Sequence, residues 1–309
     1  MGGWAIGGPW TWADGAVMGW GEVDDAESIR AIHTALDLGI SFFDTAANYG
    51  AGHSERILGK ALEGRRERAV IATKFGHIID EAARIVADDD DLILQNLRQD
   101  CENSLRRLGT DYIDIYQLHA GEYDTYHIPA LVDMLEDLVQ AGKIRAYGWS
   151  TDDVNRAAHI AGGQHCTAIQ FSLNVLRDAP QMLELVELNE LIGINKHPLA
   201  SGTLTGKFHD RYEFPADDIR HGMDWTSDRG RQRLAQAAAV RDVLTSGGRS
   251  MAQGALAWIW GRSPKTLPIP GFKTAAQVRE NAGALTQGPL THDEMRQLDE
   301  ILERSPIQG

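Results

Sequence analysis

Residues 40–50 read ISFFDTAANYG. A short apolar run, ISFFD (40–44), ends on Asp44; two alanines later Tyr49 stands before Gly50. The next stretch, SERILGKAL (54–62), has helical spacing, with Ser54 as an N-cap and Glu55 in the first turn. A β-type run followed by an amphipathic helix is the unit, and it recurs along the chain. GWAIGG (3–8) precedes ESIRAIHTALDLG, AVIATK (69–74) precedes LILQNLRQDCENSLRRLG (92–109), and YIDIYQLH (112–119) precedes IPALVDMLEDLVQAGK (128–143). IRAYGWS (144–150), TAIQFSLN (167–174), LIGINK (191–196) and TLPIPG (266–271) each open a further unit, which makes eight. Eight alternating units predict one closed (β/α)8 TIM barrel spanning 1–309 as a single domain. No GxGxxG opens a helix after the first run, and no Pro/Gly/Ser linker divides the chain.

Apolar residues make up 43% and charged residues 24% of the 309 positions, which is globular composition. Forty-four acids against thirty bases give a formal charge of −14, which repels nucleic acid and anionic lipid. No window reaches the roughly 18 apolar residues of a membrane span, and MGGWAIGGPW lacks a basic, apolar leader, so a cytoplasmic protein is expected. Cys101 and Cys166 have no metal or CxxC spacing and read as reduced, buried thiols. Two long loops break the rhythm, 75–91 after the third strand and 206–230 after the seventh. Both fall on the face where barrels build their sites and read as candidate lids. The acid run DDDD (88–91) reads as a solvated loop and helix start.

Strand C-termini converge at a barrel's mouth, so polar residues there are informative. Asp44, Lys74 and His119 end three different strands, and Tyr49 follows Asp44 on its loop. Each alone also fits a packing, capping or snorkelling role; together they form an acid–base set. A phenol with a pKa near 10 is expected to be shifted down by a neighbouring ammonium, while the acid keeps that ammonium charged. A neutral histidine then orients a carbonyl beside the phenol. With no nucleophile or metal cluster signalled, a cofactor must bring the electrons, or the reaction is a proton shift.

These residues resemble those of the aldo-keto reductase superfamily. FFDTAANYG with GHSERILGKAL, ATKFG, LRRLGTDYIDIYQLH, GKIRAYGWS, PLASGTLTGK and IPGFKTAAQVREN occur in the family's order, from about residue 2 to 281. The resemblance implies a barrel that reduces aldehydes and ketones with a nicotinamide cofactor, NADPH ahead of NADH. It also implies a catalytic tetrad of Asp44, Tyr49, Lys74 and His119. Ser150, Gln170 and Asn174 are then expected around the nicotinamide carboxamide, with Trp4 on the cofactor side. PLASGTLTGK, carrying Pro198, Leu199, Gly202 and Lys207, resembles a pyrophosphate loop. Gly271, Phe272, Lys273, Gln277, Glu280 and Asn281 resemble the adenosine-phosphate segment, with Lys273 expected at a 2′-phosphate.

Two features depart from the family pattern. From the start MGGWAIGG, the hairpin that usually plugs the barrel floor is expected to be missing or trimmed, and Lys196 stands where many relatives place an aromatic on the nicotinamide. Two rival readings remain at this level: a Schiff-base lyase using Lys74, and a regulatory subunit resembling potassium-channel β-subunits. Trp10, Trp12, Trp20, Tyr123, Tyr126 and Trp225 read equally as a mouth that stacks aromatic or sugar-like carbonyl substrates and as ordinary loop anchors.

Overall fold

A computed structural model describes residues 1–304; the last five positions of the expected 1–309 domain lie outside the described residues. Among the described residues, seven parallel strands form one sheet in the order Phe42–Asp44, Val70–Phe75, Ile113–Leu118, Ile144–Ser150, Cys166–Ser172, Ile192–Lys196 and Thr266–Pro268. Strands that follow one another in the chain lie side by side, because each crossover helix packs back against the sheet.

Both edges of this sheet meet the chain start. Gly2 bridges Asp44 on one side and Gly271 on the other. Gly2 N donates to Pro270 O at 3.0 Å, Gly3 N to Asp44 O at 2.7 Å, and Asp44 N to Met1 O at 2.9 Å. A side chain at Gly2 would sit 2.8 Å from Ile269 O, so this close approach needs glycine. The strand expected over 3–8 does not form. Pairing stops at Gly3, and Trp4–Gly7 turns into a 3-10 helix. That turn is pressed against the Tyr49 loop: a Cβ on Gly50 would lie 1.9 Å from Gly7 O, and Gly50 has φ +63°.

The helices cover the sheet with their apolar stripes. Asp24 caps Asp25–Asp37, which buries Ala31, Ile32, Ala35 and Leu36; Ile93–Leu108 buries Leu97, Cys101 and Leu105 and stops at Gly109, φ +63°. Ala168, Ile194 and Ile269 form a separate buried cluster with Phe42, Ile115 and Leu267 packed against it. Side chains alternate along a strand. Asp44, Gln117, Gln170 and Lys196 therefore project on the same face as that cluster, two residues closer to the strand C-termini.

Both long loops are more ordered than the sequence implies. Within 75–91, Ile78–Asp80 and Ile85–Ala87 pair antiparallel, and the latter pairs with Thr11–Trp12 in a three-stranded sheet. The acid run lies at the expected helix start, where Asp89 also accepts from Asp91 N. The 206–230 loop is tied to the N-terminal segment: Ile219 N donates to Gly19 O at 2.7 Å, and the Arg220 guanidinium lies 4.4 Å over the Trp20 ring. No helix among the described residues is long and apolar enough to cross a membrane.

Candidate active site

The strand ends bring the expected residues together. Lys74 Nζ donates to Asp44 Oδ2 at 2.7 Å, to Thr45 O at 2.8 Å and to Tyr49 Oη at 3.3 Å. The Lys74 side chain is fully buried and Asp44 is 2% exposed. The second oxygen of Asp44 accepts from Gln170 Nε2 at 2.7 Å and from Gln117 Nε2 at 3.4 Å. Trp4 stacks on the Tyr49 ring at 5.7 Å, and the His119 ring meets it edge-on at 5.7 Å. Tyr49 is thus fixed between an indole and an imidazole above a buried ion pair.

The electrostatics correct one expectation. Burial, reinforced by the Asp44 charge, raises the Tyr49 phenol well above its ordinary value, so Tyr49 is a neutral phenol rather than a phenolate. Burial also lowers Lys74, although Asp44 opposes that shift by charge and hydrogen bond. His119 lies well below an ordinary imidazole because of burial and the nearby His77, Lys74 and Lys196. It is neutral near pH 7, as expected. Its Nδ1 is buried without a hydrogen-bond partner.

A cavity of about 920 Å³ opens above these groups. Tyr49, His119, Asp44, Trp4, Gln170 and Lys196 line its floor, and Pro198, Leu199, Gly202 and Lys207 form one wall. Gly271, Phe272, Lys273, Gln277, Glu280 and Asn281 line the far end, so most of the sequence-selected residues share one continuous trench. Ser150 lies just behind the floor, bonded to Gln170 and Lys196. Asn174 is elsewhere. It faces a second cavity of about 380 Å³ and donates to His197 O at 3.0 Å, shaping the turn that follows.

Local backbone explains that turn. His197, Ala200, Ser201 and Gly202 all have left-handed φ, between +48° and +93°, a conformation that turns backbone amides to one side. At Gly202 a Cβ would press on the Phe208 ring at 3.0 Å. Gln277 serves a structural purpose as well, its side chain capping its own helix through Lys273 N at 2.7 Å. The Lys273 ammonium donates to the carbonyls of Trp20 and Glu22, which places the N-terminal segment across the trench.

The sequence reading missed several lining groups. His77, held at 2.5 Å by Asp88, lies edge-on to His119 at 5.0 Å, while Phe208, Tyr212 and Arg220 come from the 206–230 loop. The pairing of Arg220 with Asp218 just before it, in an aromatic-rich loop, was the available signal. Of the aromatics proposed for the mouth, Trp10, Trp12 and Trp20 line it. Tyr123 is buried against His127, Tyr126 is 83% exposed, and Trp225 packs behind Phe208; none of these three reaches the cavity.

Comparison with known proteins agrees with this geometry. The chain is 31% identical over 311 residues to the aldo-keto reductase YhdN of Bacillus subtilis (strain 168), covering 96% of this chain and 89% of that protein. It is 31% identical to the chloroplastic pyridoxal reductase of Arabidopsis thaliana, covering 97% and 83%. The solved glycerol dehydrogenase of Gluconobacter oxydans superposes with a TM-score of 0.82 at 31% identity, covering 100% of this chain and 93% of that one. An aldo/keto reductase of Klebsiella pneumoniae, solved in complex with NADP and acetate, gives a TM-score of 0.66 at 28% identity over 92% and 88%. The model of the aldo/keto reductase family matches residues 1–303, and the chain belongs to that family.

Proposed function

We propose that this chain is an NADPH-dependent carbonyl reductase, also able to oxidise the corresponding alcohol, built on one closed (β/α)8 barrel domain with Met1–Gly3 in the eighth strand position. The observation that carries the reading is Tyr49, its hydroxyl 3.3 Å from a Lys74 ammonium ion-paired to Asp44, at the floor of a trench long enough for an extended ligand. Two free, buried cysteines suit a reducing, cytoplasmic setting.

The residues present suit a dinucleotide. Gln170, backed by Ser150, would meet its carboxamide; the left-handed turn before Lys207 would meet its pyrophosphate; and Lys273, Glu280 and Asn281 would meet its adenosine end. Lys207 and Lys273 supply local positive charge in a protein of charge −14, which favours the extra phosphate of NADPH, while Arg220 is already paired with Asp218. When bound, the nicotinamide supplies the hydride.

This chain's own residues handle the proton. Tyr49, neutral because burial and Asp44 hold its proton on, donates it to the carbonyl oxygen as charge develops there. The phenolate left behind faces the Lys74 ammonium, and Asp44 keeps that ammonium protonated. Neutral His119 orients the carbonyl without bringing a competing charge. Lys74 donates its hydrogen bonds to Asp44, Thr45 O and Tyr49 Oη and has no face toward the cavity, which argues against a Schiff base. Trp10, Trp12 and Trp20 favour an aromatic or hydroxyl-bearing carbonyl compound, in keeping with relatives named for pyridoxal and glycerol. Fluorescence titration with NADPH tests the reading; absence of binding at micromolar concentration would sink it.

A further inference from the structure

Lys196 closes the strand Ile192–Lys196 and lines the cavity beside Gln170 and Trp4, yet no step above uses it. Its ammonium donates to Ser150 Oγ at 3.4 Å. Ser150 Oγ in turn donates to Gln170 Oε1 at 3.4 Å, and Gln170 Nε2 donates to Asp44 Oδ1 at 2.7 Å. A short relay of side chains therefore joins Lys196 to the acid beneath Tyr49. Its charge reaches that floor, for it is among the influences that depress both Lys74 and His119.

The countercharge is incomplete. Asp152 lies 3.5 Å from Lys196 Nζ, but it also lies 3.1 Å from Arg177 and accepts from Ser172 N and Oγ. One carboxylate faces two cations, while Asp44 and Lys74 cancel one another. Burial lowers the Lys196 ammonium from its ordinary 10.5, with Asp152 opposing that shift and Arg177 adding to it, so a further cation brought against this 26%-exposed side chain is unfavourable.

A nicotinamide whose carboxamide met Gln170 and Ser150 would lie beside Lys196, which bonds to the same serine. The oxidised nicotinamide ring carries one positive charge. The reduced ring holds one hydride more, two electrons and a proton, and is neutral; the rest of the dinucleotide is unchanged. We propose that Lys196 makes this site discriminate between the two, holding the neutral reduced ring in preference to the cationic oxidised ring; the inference rests on the dinucleotide reading above. Two consequences follow from like-charge repulsion. The oxidised dinucleotide leaves more readily after a reduction, and while bound it is a stronger hydride acceptor from an alcohol.

The test is a pair of equilibrium titrations, NADP+ and NADPH, monitored by tryptophan fluorescence on the full chain and its variants. In Lys196→Met the ratio Kd(NADP+)/Kd(NADPH) should fall about five- to tenfold, tenfold being about 1.4 kcal/mol. Lys196→Arg, which keeps the charge, should keep the ratio, and a melting curve for each variant shows that it is folded. An unchanged ratio in Lys196→Met overturns the proposal, as does an equal fall in Lys196→Arg, which would point to shape rather than charge. If neither dinucleotide binds the unaltered chain, the reductase reading itself fails and this inference fails with it.

Discussion

The buried pair beneath Tyr49 makes a prediction that can be worked through. In Asp44→Asn the Lys74 ammonium, fully buried, loses its countercharge and keeps only neutral partners, Thr45 O, Tyr49 Oη and the amide oxygen of the new side chain. In Lys74→Met the Asp44 carboxylate, 2% exposed, keeps only the amides of Gln170 and Gln117. Leaving one charge of a buried pair uncompensated costs about 3–5 kcal/mol, whereas removing both together is close to neutral. At roughly 2 °C per kcal/mol for a chain of this size, each single variant should melt about 6–10 °C lower. The double variant should recover most of that loss. A pH series adds a sign. Asp44 is what opposes the depression of Lys74 below 10.5, so in Asp44→Asn the folded-state pKa drops further. The unfolded chain then binds a proton that the folded chain does not, and the variant gains stability as pH rises toward 10.5. Thermal melts of the four proteins across pH form a double-mutant cycle. All three variants should lose turnover. Additive destabilisation in the double variant would refute the buried-pair account.

Tyr49→Phe should bind NADPH with little change and lose turnover by about 10²- to 10⁴-fold, since only the hydroxyl proposed as the proton donor is removed; a normal rate would reduce Tyr49 to packing. Gly50→Ala meets both Gly7 O at 1.9 Å and a φ of +63°, so a loss of about 2–4 kcal/mol in a urea melt is expected, together with lower activity as Tyr49 shifts. His119 lies well below its ordinary 6.5, so it stays neutral from pH 6 to 8 and contributes no inflection to a kcat/KM profile there. Because the unfolded imidazole takes up a proton below 6.5 that the folded one refuses, stability is lost progressively as pH falls from that value toward the lowered folded-state pKa. An inflection near 6.5 that disappears in His119→Asn would contradict this.

Asp44, Lys74 and His119 were legible because each stands within one residue of the C-terminal end of an apolar strand, and strand ends meet at one rim whatever their distance in sequence. The glycines of the turn before Lys207 were legible for the same kind of reason, since only certain residues accept its backbone. The first strand was misplaced because GWAIGG has strand-like apolar residues. Contact with Gly50 decides its shape instead, and that contact is long-range. The hairpin in 75–91 has an apolar pair on each side of its turn, Ile78–Ile79 and Ile85–Val86, but its third partner is Thr11–Trp12, far away in sequence. Asn174 was assigned to the cofactor by position in the chain, while its side chain is spent on His197 O and Leu176 N.

The direction of the Tyr49 shift is what sequence could not supply. Proximity to Lys74 suggested a lowered phenol, which is how an isolated pair in water would behave. In the folded chain Lys74 is paired to Asp44, so the phenol faces an ion pair rather than a free cation, and desolvation dominates. A phenol held neutral is the form needed to protonate an alkoxide, and the 3.3 Å contact to Lys74 acquires its value only once the proton has gone. In alcohol oxidation the same arrangement must first ionise Tyr49 against burial, and that step becomes easier as pH rises. Reduction should therefore be favoured at neutral pH and oxidation at alkaline pH. Opposite slopes of kcat against pH for the two directions would follow, and in Lys74→Arg, which keeps a cation beside Tyr49, whatever activity survives should keep them too.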